Sequence, residues 1–289
     1  VLLSHNGFDV DQKLATIVTG IDVILTGHTH DAVPQALKIN KTLLLSSGSH
    51  GKYLGRIDLD VKGGEVVDYS STLIPVFSDV ITPDPEMSAH IDALRAPYEA
   101  ECNRVIGSTS GLLYRRGNFN GTWDDLICQG IIEERDAEIS LSPGFRWGTT
   151  LLPCQDITID DLYTQTSMSY PNVYRTEMTG AQIKVILEDV CDNLFNIDPF
   201  YQQGGDMVRV GGMNYTCAPK ASMGNRISDL TMTKTGEKLD ADRKYVVGGW
   251  ASVNENVEGP AIYDLMEGFI SRKKSIDLPA QQAVKVIGL

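Results

Sequence analysis

Along the first thirty residues the apolar positions switch between two periods. Residues 1–4 are a short apolar run, Leu14, Ile17 and Val18 fall at helical spacing, and residues 22–26 (Asp-Val-Ile-Leu-Thr) form a β-rich run that stops at Gly27. That order predicts strand, helix, strand. Strand-like runs follow at 42–46, 53–61 and 65–76, the last two separated by a Gly63-Gly64 turn. Pro83-Asp84-Pro85 punctuates the chain, and residues 86–103 read as a helix with acids early and Ile91, Leu94 and Tyr98 on its apolar side. Beyond it the pattern is mixed. Helices are predicted at 122–135, 159–166 and 179–194, the last N-capped by Thr179, and strands at 138–141, 173–178, 227–233 and 245–250. Connections rich in Gly, Pro and Asn are expected at 115–121, 142–149, 199–214 and 253–260.

The pattern divides the chain into an α/β segment over 1–82, a connector helix over 83–104 and an α+β domain over 105–289. A length of 289 residues agrees with two domains, since it exceeds what one hydrophobic core usually serves. Hydrophobic residues at 42% and charged residues at 22% are those of a folded chain, which excludes wholesale disorder. No apolar run approaches the ~20 residues of a membrane helix, so no membrane role is expected. The formal charge of −13 repels polyphosphate, and no Lys/Arg-rich tract offsets it, so no nucleic-acid partner is expected. The chain opens in what looks like mid-strand, without Met or a basic-then-apolar leader, and reads as a fragment or processed product whose export signal, if any, lies upstream. Five cysteines without a CxxC pair argue against a Cys-rich zinc site, and Cys191–Cys217 is the candidate for a single disulfide.

Polar surprises concentrate where the early strands end, which is where α/β folds carry their chemistry. His5 follows the first strand, and Gly27-His28-Thr29-His30-Asp31 follows the second. Imidazole is a common ligand for borderline metals, and two His two residues apart in a tight loop can serve neighbouring ions. A lone His of this kind is more often a solvated loop residue. Three at the ends of adjacent strands favour metal binding.

Those residues carry a specific resemblance. His5-Asn6-Gly7, Gly27-His28-Thr29-His30 and Gly48-Ser49-His50-Gly51-Lys52-Tyr53-Leu54-Gly55 resemble the second half of a calcineurin-like metallophosphoesterase domain of the 5′-nucleotidase type. Tyr215-Thr216, Gly224-Asn225-Arg226-Ile227, Leu239-Asp240 and Lys244-Tyr245 continue the likeness through that family's C-terminal domain. The fold implied is the C-terminal half of a four-layer α/β/β/α sandwich followed by a 5′-nucleotidase-type C-terminal domain. The resemblance implies two divalent metal ions, with His5 and His28 on one and His30 on the other. The family's remaining ligands and its transition-state His have no counterpart in the sequence, so no catalytic residue is assigned. His50 is expected to be a turn residue and His90 a solvated one.

Within the family, Tyr170 fits the first of two aromatics that grip a nucleobase, but residues 254–260 carry acids where the second belongs. The segments Ser4–Asp11, Ser142-Pro143-Gly144-Phe145-Arg146-Trp147-Gly148, Gly204-Gly205-Asp206-Met207-Val208-Arg209 and Trp250-Ala251-Ser252-Val253-Asn254 instead resemble the manganese-dependent thiosulfohydrolases of the bacterial Sox sulfur-oxidation system. That likeness implies a periplasmic hydrolase that removes sulfonate from a cysteine S-thiosulfonate on the C-terminal arm of a sulfur-carrier protein. Arg146, Tyr170, Asp206 and Arg209 are the expected substrate-binding residues, with Arg209 towards the mouth of the site, and Arg115-Arg116 occupy a loop that nucleotidases use for substrate. The alternatives are a 5′-nucleotidase or related nucleotide phosphoesterase, and an inactive module that only docks the carrier.

Overall fold

The computed structural model describes residues 1–115, 117–252, 257–278 and 282–288. They form two compact units. The first comprises Val1–Leu94 together with Asn196–Gly204, and the second Arg95–Phe195 together with Gly205–Leu289.

The first unit begins β1 (Leu2–Ser4), α1 (Phe8–Ile17), β2 (Val23–Thr26), β3 (Leu37–Ile39), β4 (Thr42–Ser46), β5 (Tyr53–Lys62) and β6 (Glu65–Pro75). Strands β1, β2 and β4 run parallel and β3 closes the sheet antiparallel, in the order β1-β2-β4-β3. Alternation along β2 and β4 sends side chains to both faces. Ile24 and Leu44 pack with Ala15 of α1 on one face. On the other, Val23, Leu43 and Leu45 pack with Ile57, Leu59 and Tyr69 of the β5–β6 hairpin. This gives a helix/sheet/hairpin layering, built from the strand-helix-strand order that the early periodicity predicts.

The expected helix over 86–103 is interrupted. It forms α2 (Pro85–Arg95) and the single turn α3 (Glu99–Cys102). Pro97 is the reason: it lacks an N–H, and its ring clashes with the carbonyl four residues earlier.

The second unit continues β7 (Val105–Thr109), α4 (Thr122–Arg135), β8 (Ile139–Gly144), β9 (Asp156–Thr158), α5 (Ile159–Thr166), β10 (Tyr174–Thr179) and α6 (Gly180–Phe195). It is completed by β11 (Asp206–Gly211), β12 (Met213–Cys217), β13 (Ile227–Met232), β14 (Lys244–Gly249), α7 (Ile262–Lys273), β15 (Ser275–Ile276) and β16 (Val284–Val286). Its main sheet has the order β10-β14-β8-β11, beside two three-stranded sheets, β13-β12-β16 and β15-β7-β9. Two cores result. One joins α4, α5 and α7 around Trp123, Leu126, Ile131 and Phe269, and the other packs α6 on Ile139, Met207, Tyr215 and Val247.

Helix α6 starts where Thr179 predicts. The Gln182 N–H donates to Thr179 Oγ1 at 3.2 Å, and the Thr179 N–H donates to Gln182 Oε1 at 2.8 Å, a reciprocal cap. The expected connection over 199–214 is corrected by the structure, because much of it is β11 and the start of β12. Its four glycines obscure the alternation of Met207 and Arg209 against Val208 and Val210. Cys191 and Cys217 are both buried as free thiols, their sulfurs 3.6 Å apart. Among the described residues no helix is long and apolar enough to cross a membrane.

Glu188 of α6 latches the β12–β13 connection. Its buried carboxylate accepts the N–H groups of Gly224 at 2.8 Å, Arg226 at 3.3 Å and Ile227 at 2.8 Å. Glu188→Ala leaves those donors without their acceptor and is expected to cost about 3 kcal/mol of stability in urea unfolding, with Glu188→Gln losing less.

Candidate active site

In the first unit, parallel pairing decides where the histidines lie. Leu2 pairs with Ile24 and Ser4 with Thr26, so the residues after β1 and β2 emerge at the same sheet edge. The Gly27 N–H extends the ladder to the Ser4 carbonyl at 3.0 Å. Beneath this edge sits Asp11 of α1, fully buried. Its carboxylate accepts from Ser4 Oγ at 2.8 Å, Thr26 Oγ1 at 2.5 Å and Asn6 Nδ2 at 3.3 Å. One acid thus pins the last residue of both strands.

The imidazoles gather in two pairs. The His5 and His28 rings are 5.0 Å apart and edge-on, and the His30 and His50 rings are 5.7 Å apart. His28, His30 and His50 all have left-handed backbones, with φ of 74°, 60° and 60°. Such conformations cost on the order of 1 kcal/mol each for a residue with a Cβ and cluster at functional sites. Surrounding contacts hold them. The Asp31 carbonyl accepts from the Gly48 N–H at 2.7 Å and Ser46 Oγ at 2.6 Å, and Thr29 Oγ1 accepts the Phe8 N–H at 3.1 Å. His50, expected as a mere turn residue, therefore faces His30, whereas His90 is exposed on α2. Four imidazoles in a strained loop cluster are a donor set suited to borderline divalent cations. Among the described residues no group of three or more His, Cys, Asp or Glu side chains could hold a metal ion by itself, so these imidazoles could supply only part of a coordination shell.

In the second unit the charged residues form an alternating chain through the interior. Arg115 Nε donates to Asp124 Oδ1 at 3.0 Å, and Arg209 Nε lies 3.2 Å from Asp124 Oδ2. Arg209 Nη2 then reaches Asp206 Oδ2 at 3.2 Å, and Arg146 Nη1 lies 4.0 Å from Asp206 Oδ1. Burial pushes the Asp124 carboxyl above the usual carboxylate range, against the pull of both guanidiniums, and burial likewise pushes Arg115 down. Arg115 also donates to the Gln165 carbonyl. Its guanidinium lies 5.3 Å from the Phe145 ring centre, 5.9 Å from Trp147 and 5.7 Å from Trp250. Phe145 and Trp147 stack at 3.7 Å, and Trp250 Nε1 donates to Ser142 Oγ at 2.8 Å. The loop carrying Arg146 is thus fastened over a buried cation.

The expected substrate-binding residues separate into three groups. Arg146 retains solvent access, its side chain 15% exposed. Asp206 and Arg209 belong to the internal chain on β11, and Arg209, at 2% exposure, is interior rather than at a mouth. Its strand position explains this, because β11 points it inward at Asp124. Tyr170 lies outside the regular elements and is exposed, at 51%. Arg116 and residues 254–256 lie outside the described residues. Sequence reading missed Asp11 and Asp124, which a helix-first-turn preference for acids renders inconspicuous. Their buried settings become visible only once Ser4, Thr26 and the two arginines converge on them.

Asp124→Ala removes the shared carboxylate from two buried guanidiniums, and is expected to destabilise the second unit by about 3–5 kcal/mol in denaturant unfolding.

Residues 105–263 match the family described as 5′-nucleotidase, C-terminal domain. The sulfate thiohydrolase SoxB of Thermus thermophilus superposes with a TM-score of 0.92 at 34% identity, over 99% of this chain and 54% of that one. The trifunctional nucleotide phosphoesterase YfkN of Bacillus subtilis is 27% identical over 282 residues, 91% of this chain and 18% of its own length. YunD of the same organism, an uncharacterized metallophosphoesterase, is 43% identical over 61 residues, 21% of this chain and 13% of its own. The chain thus spans about half of the SoxB chain and less than a fifth of the two Bacillus proteins. With the family match covering residues 105–263, the chain belongs to the 5′-nucleotidase family through its C-terminal domain.

Proposed function

We propose that the protein is a metal-dependent thiosulfohydrolase. It removes the terminal sulfonate from a cysteine S-thiosulfonate on the C-terminal arm of a sulfur-carrier protein, releases sulfate, and works in the periplasm with manganese. The observation that carries this reading is the 34% identity to a sulfate thiohydrolase along 99% of the chain, including the segments around Arg146 and Arg209.

The reaction balances simply. Hydroxide attacks the terminal sulfonate sulfur, the bond from that sulfur to the sulfane sulfur breaks, and the sulfane sulfur keeps the electron pair, so sulfate is released and the carrier cysteine is left as a persulfide anion. His5, His28 and His30 would hold the divalent cations, which supply Lewis acidity towards the sulfonate oxygens and a hydroxide at neutral pH. Arg146 binds the anion. Its planar fork matches two sulfonate oxygens, and a tetrahedral anionic group suits it as phosphate would. Arg209 and Asp206 act behind it, fixing the guanidinium through the alternating chain.

Substrate choice tests the reading. A thiosulfonate-bearing carrier peptide is expected to exceed AMP in kcat/KM by several orders of magnitude, and equal values would restore a nucleotide phosphoesterase. His28→Ala and His30→Ala are expected to abolish kcat while the second unit keeps its unfolding transition. Arg146→Lys keeps the charge but loses the fork, and is expected to cost about 2–3 kcal/mol, or ~30- to 150-fold in kcat/KM.

A further inference from the structure

Ten residues, Asn196–Gly205, separate α6 from β11. Asn196–Gly204 belongs to the first unit, although the chain on both sides of it belongs to the second. The segment is tightly organised. Asp198 caps the short turn Pro199–Tyr201 by accepting the Phe200 N–H at 2.9 Å, and Gln202 Nε2 donates to the Asn196 carbonyl at 2.8 Å. Lys13 of α1 anchors it from outside: its ammonium pairs with Asp198 and sits 4.4 Å from the Phe200 ring centre. That pairing, with the Phe200 N–H, holds the Asp198 carboxyl below its ordinary value.

The far end of the segment meets a histidine. His28 Nε2 lies 2.8 Å from the Gln203 carbonyl oxygen. A carbonyl only accepts, so the imidazole must donate there and carry its proton on Nε2. In the neutral ring the lone pair then resides on Nδ1. Close approach requires the next residue to be glycine. Gly204 has φ +74°, and a Cβ on it would lie 2.3 Å from His28 Nε2 and 2.6 Å from Cδ2. Gly205 has φ +96°, equally unsuited to a side chain, yet a Cβ there would meet nothing within 4 Å. Both backbones demand glycine, but only Gly204 does so because of His28.

We propose that the segment 196–204 is a positioning strap for His28: the Gln203 carbonyl fixes the imidazole as the Nε2–H tautomer, turns Nδ1 to the cation, and relies on Gly204 to lie against the ring. Ligand imidazoles commonly donate their second N–H to a carbonyl, which sets the tautomer and raises ligand basicity. Here the carbonyl comes from a segment far along the chain, so the ligand's orientation depends on Lys13, Asp198 and Phe200 as well as on its own loop. The role of the strap towards a cation rests on the proposed metal-binding role of His28.

The paired glycines supply the test. In the intact protein, freed of metal, labelled with ¹⁵N-histidine and held at pH 8, ring-nitrogen shifts are expected to report the Nε2–H tautomer for His28 in wild type and in Gly205→Ala, and its loss in Gly204→Ala. Titration with Mn²⁺ alone is expected to show binding weakened about 10- to 100-fold by Gly204→Ala and by no more than about threefold by Gly205→Ala. An Nδ1–H tautomer in wild type, or equal tautomer and Mn²⁺ affinity in the two variants, would overturn the strap. If wild type takes up no Mn²⁺ while the tautomer still changes only in Gly204→Ala, the positioning stands and the metal-binding reading falls. Should Gly205→Ala fail to fold, Lys13→Met loosens the strap at its other end, and an unchanged His28 tautomer there and in Gly204→Ala would overturn the proposal.

Discussion

Two guanidiniums buried side by side are tolerable only with an anion between them. Arg115 and Arg209 share Asp124, and that shared carboxylate organises the second unit's polar interior. A cation withdrawn from water loses several kcal/mol of hydration, which a close carboxylate and further acceptors must offset. Asp124 lies in the first turn of α4, on the same side as Ile127 and Ile131, which enter the larger core further along the helix. The helix is therefore held by charge in its first turn and by apolar packing in the turns that follow. Everything laid over Arg115 inherits that placement: the Phe145–Trp147 stack, the Trp250 side chain and the backbone that presents Arg146.

The first unit solves a smaller version of the same problem. Asp11 is buried without a cation and is satisfied by hydroxyls and an amide instead. Because two of its donors, Ser4 and Thr26, are the residues just before His5 and Gly27, and the third is Asn6, the acid sets how the two histidine-bearing loops leave the sheet. Left-handed backbones at His28, His30 and His50 then aim the rings. The strain is local and is distributed over bonds to Asp31, Ser46, Gly48 and Thr29 rather than carried by one contact.

Much of this was legible beforehand where one pattern dominated. The α4, α5 and α6 helices fall where 3.6-residue periodicity and capping residues put them, and the family and its mixed α/β fold follow from the strand-end histidines and the C-terminal motifs. Legibility failed where local and tertiary preferences compete. Glycines around Asp206–Gly211 suggested a loop, but Gly204, Gly205, Gly211 and Gly212 flank or end a strand that is buried on both faces. Pro97 sits inside an otherwise good helical pattern and still ends it. Arg209 looked like a ligand-binding residue because arginine in a Gly-rich segment usually is exposed. No sequence rule reveals that its partner lies 85 residues earlier on α4. Burial of a charge is a property of the pair.

The three tryptophans, Trp123, Trp147 and Trp250, all belong to the second unit and cluster near Arg115 and the larger core. Indole emission therefore reports on that unit alone. The first unit, with all its strand-end imidazoles, contributes only the weaker emission of Tyr53, Tyr69 and Tyr201. A single smooth fluorescence transition would accordingly describe one half of the molecule, and the unit that carries the histidines could melt beforehand without altering the trace.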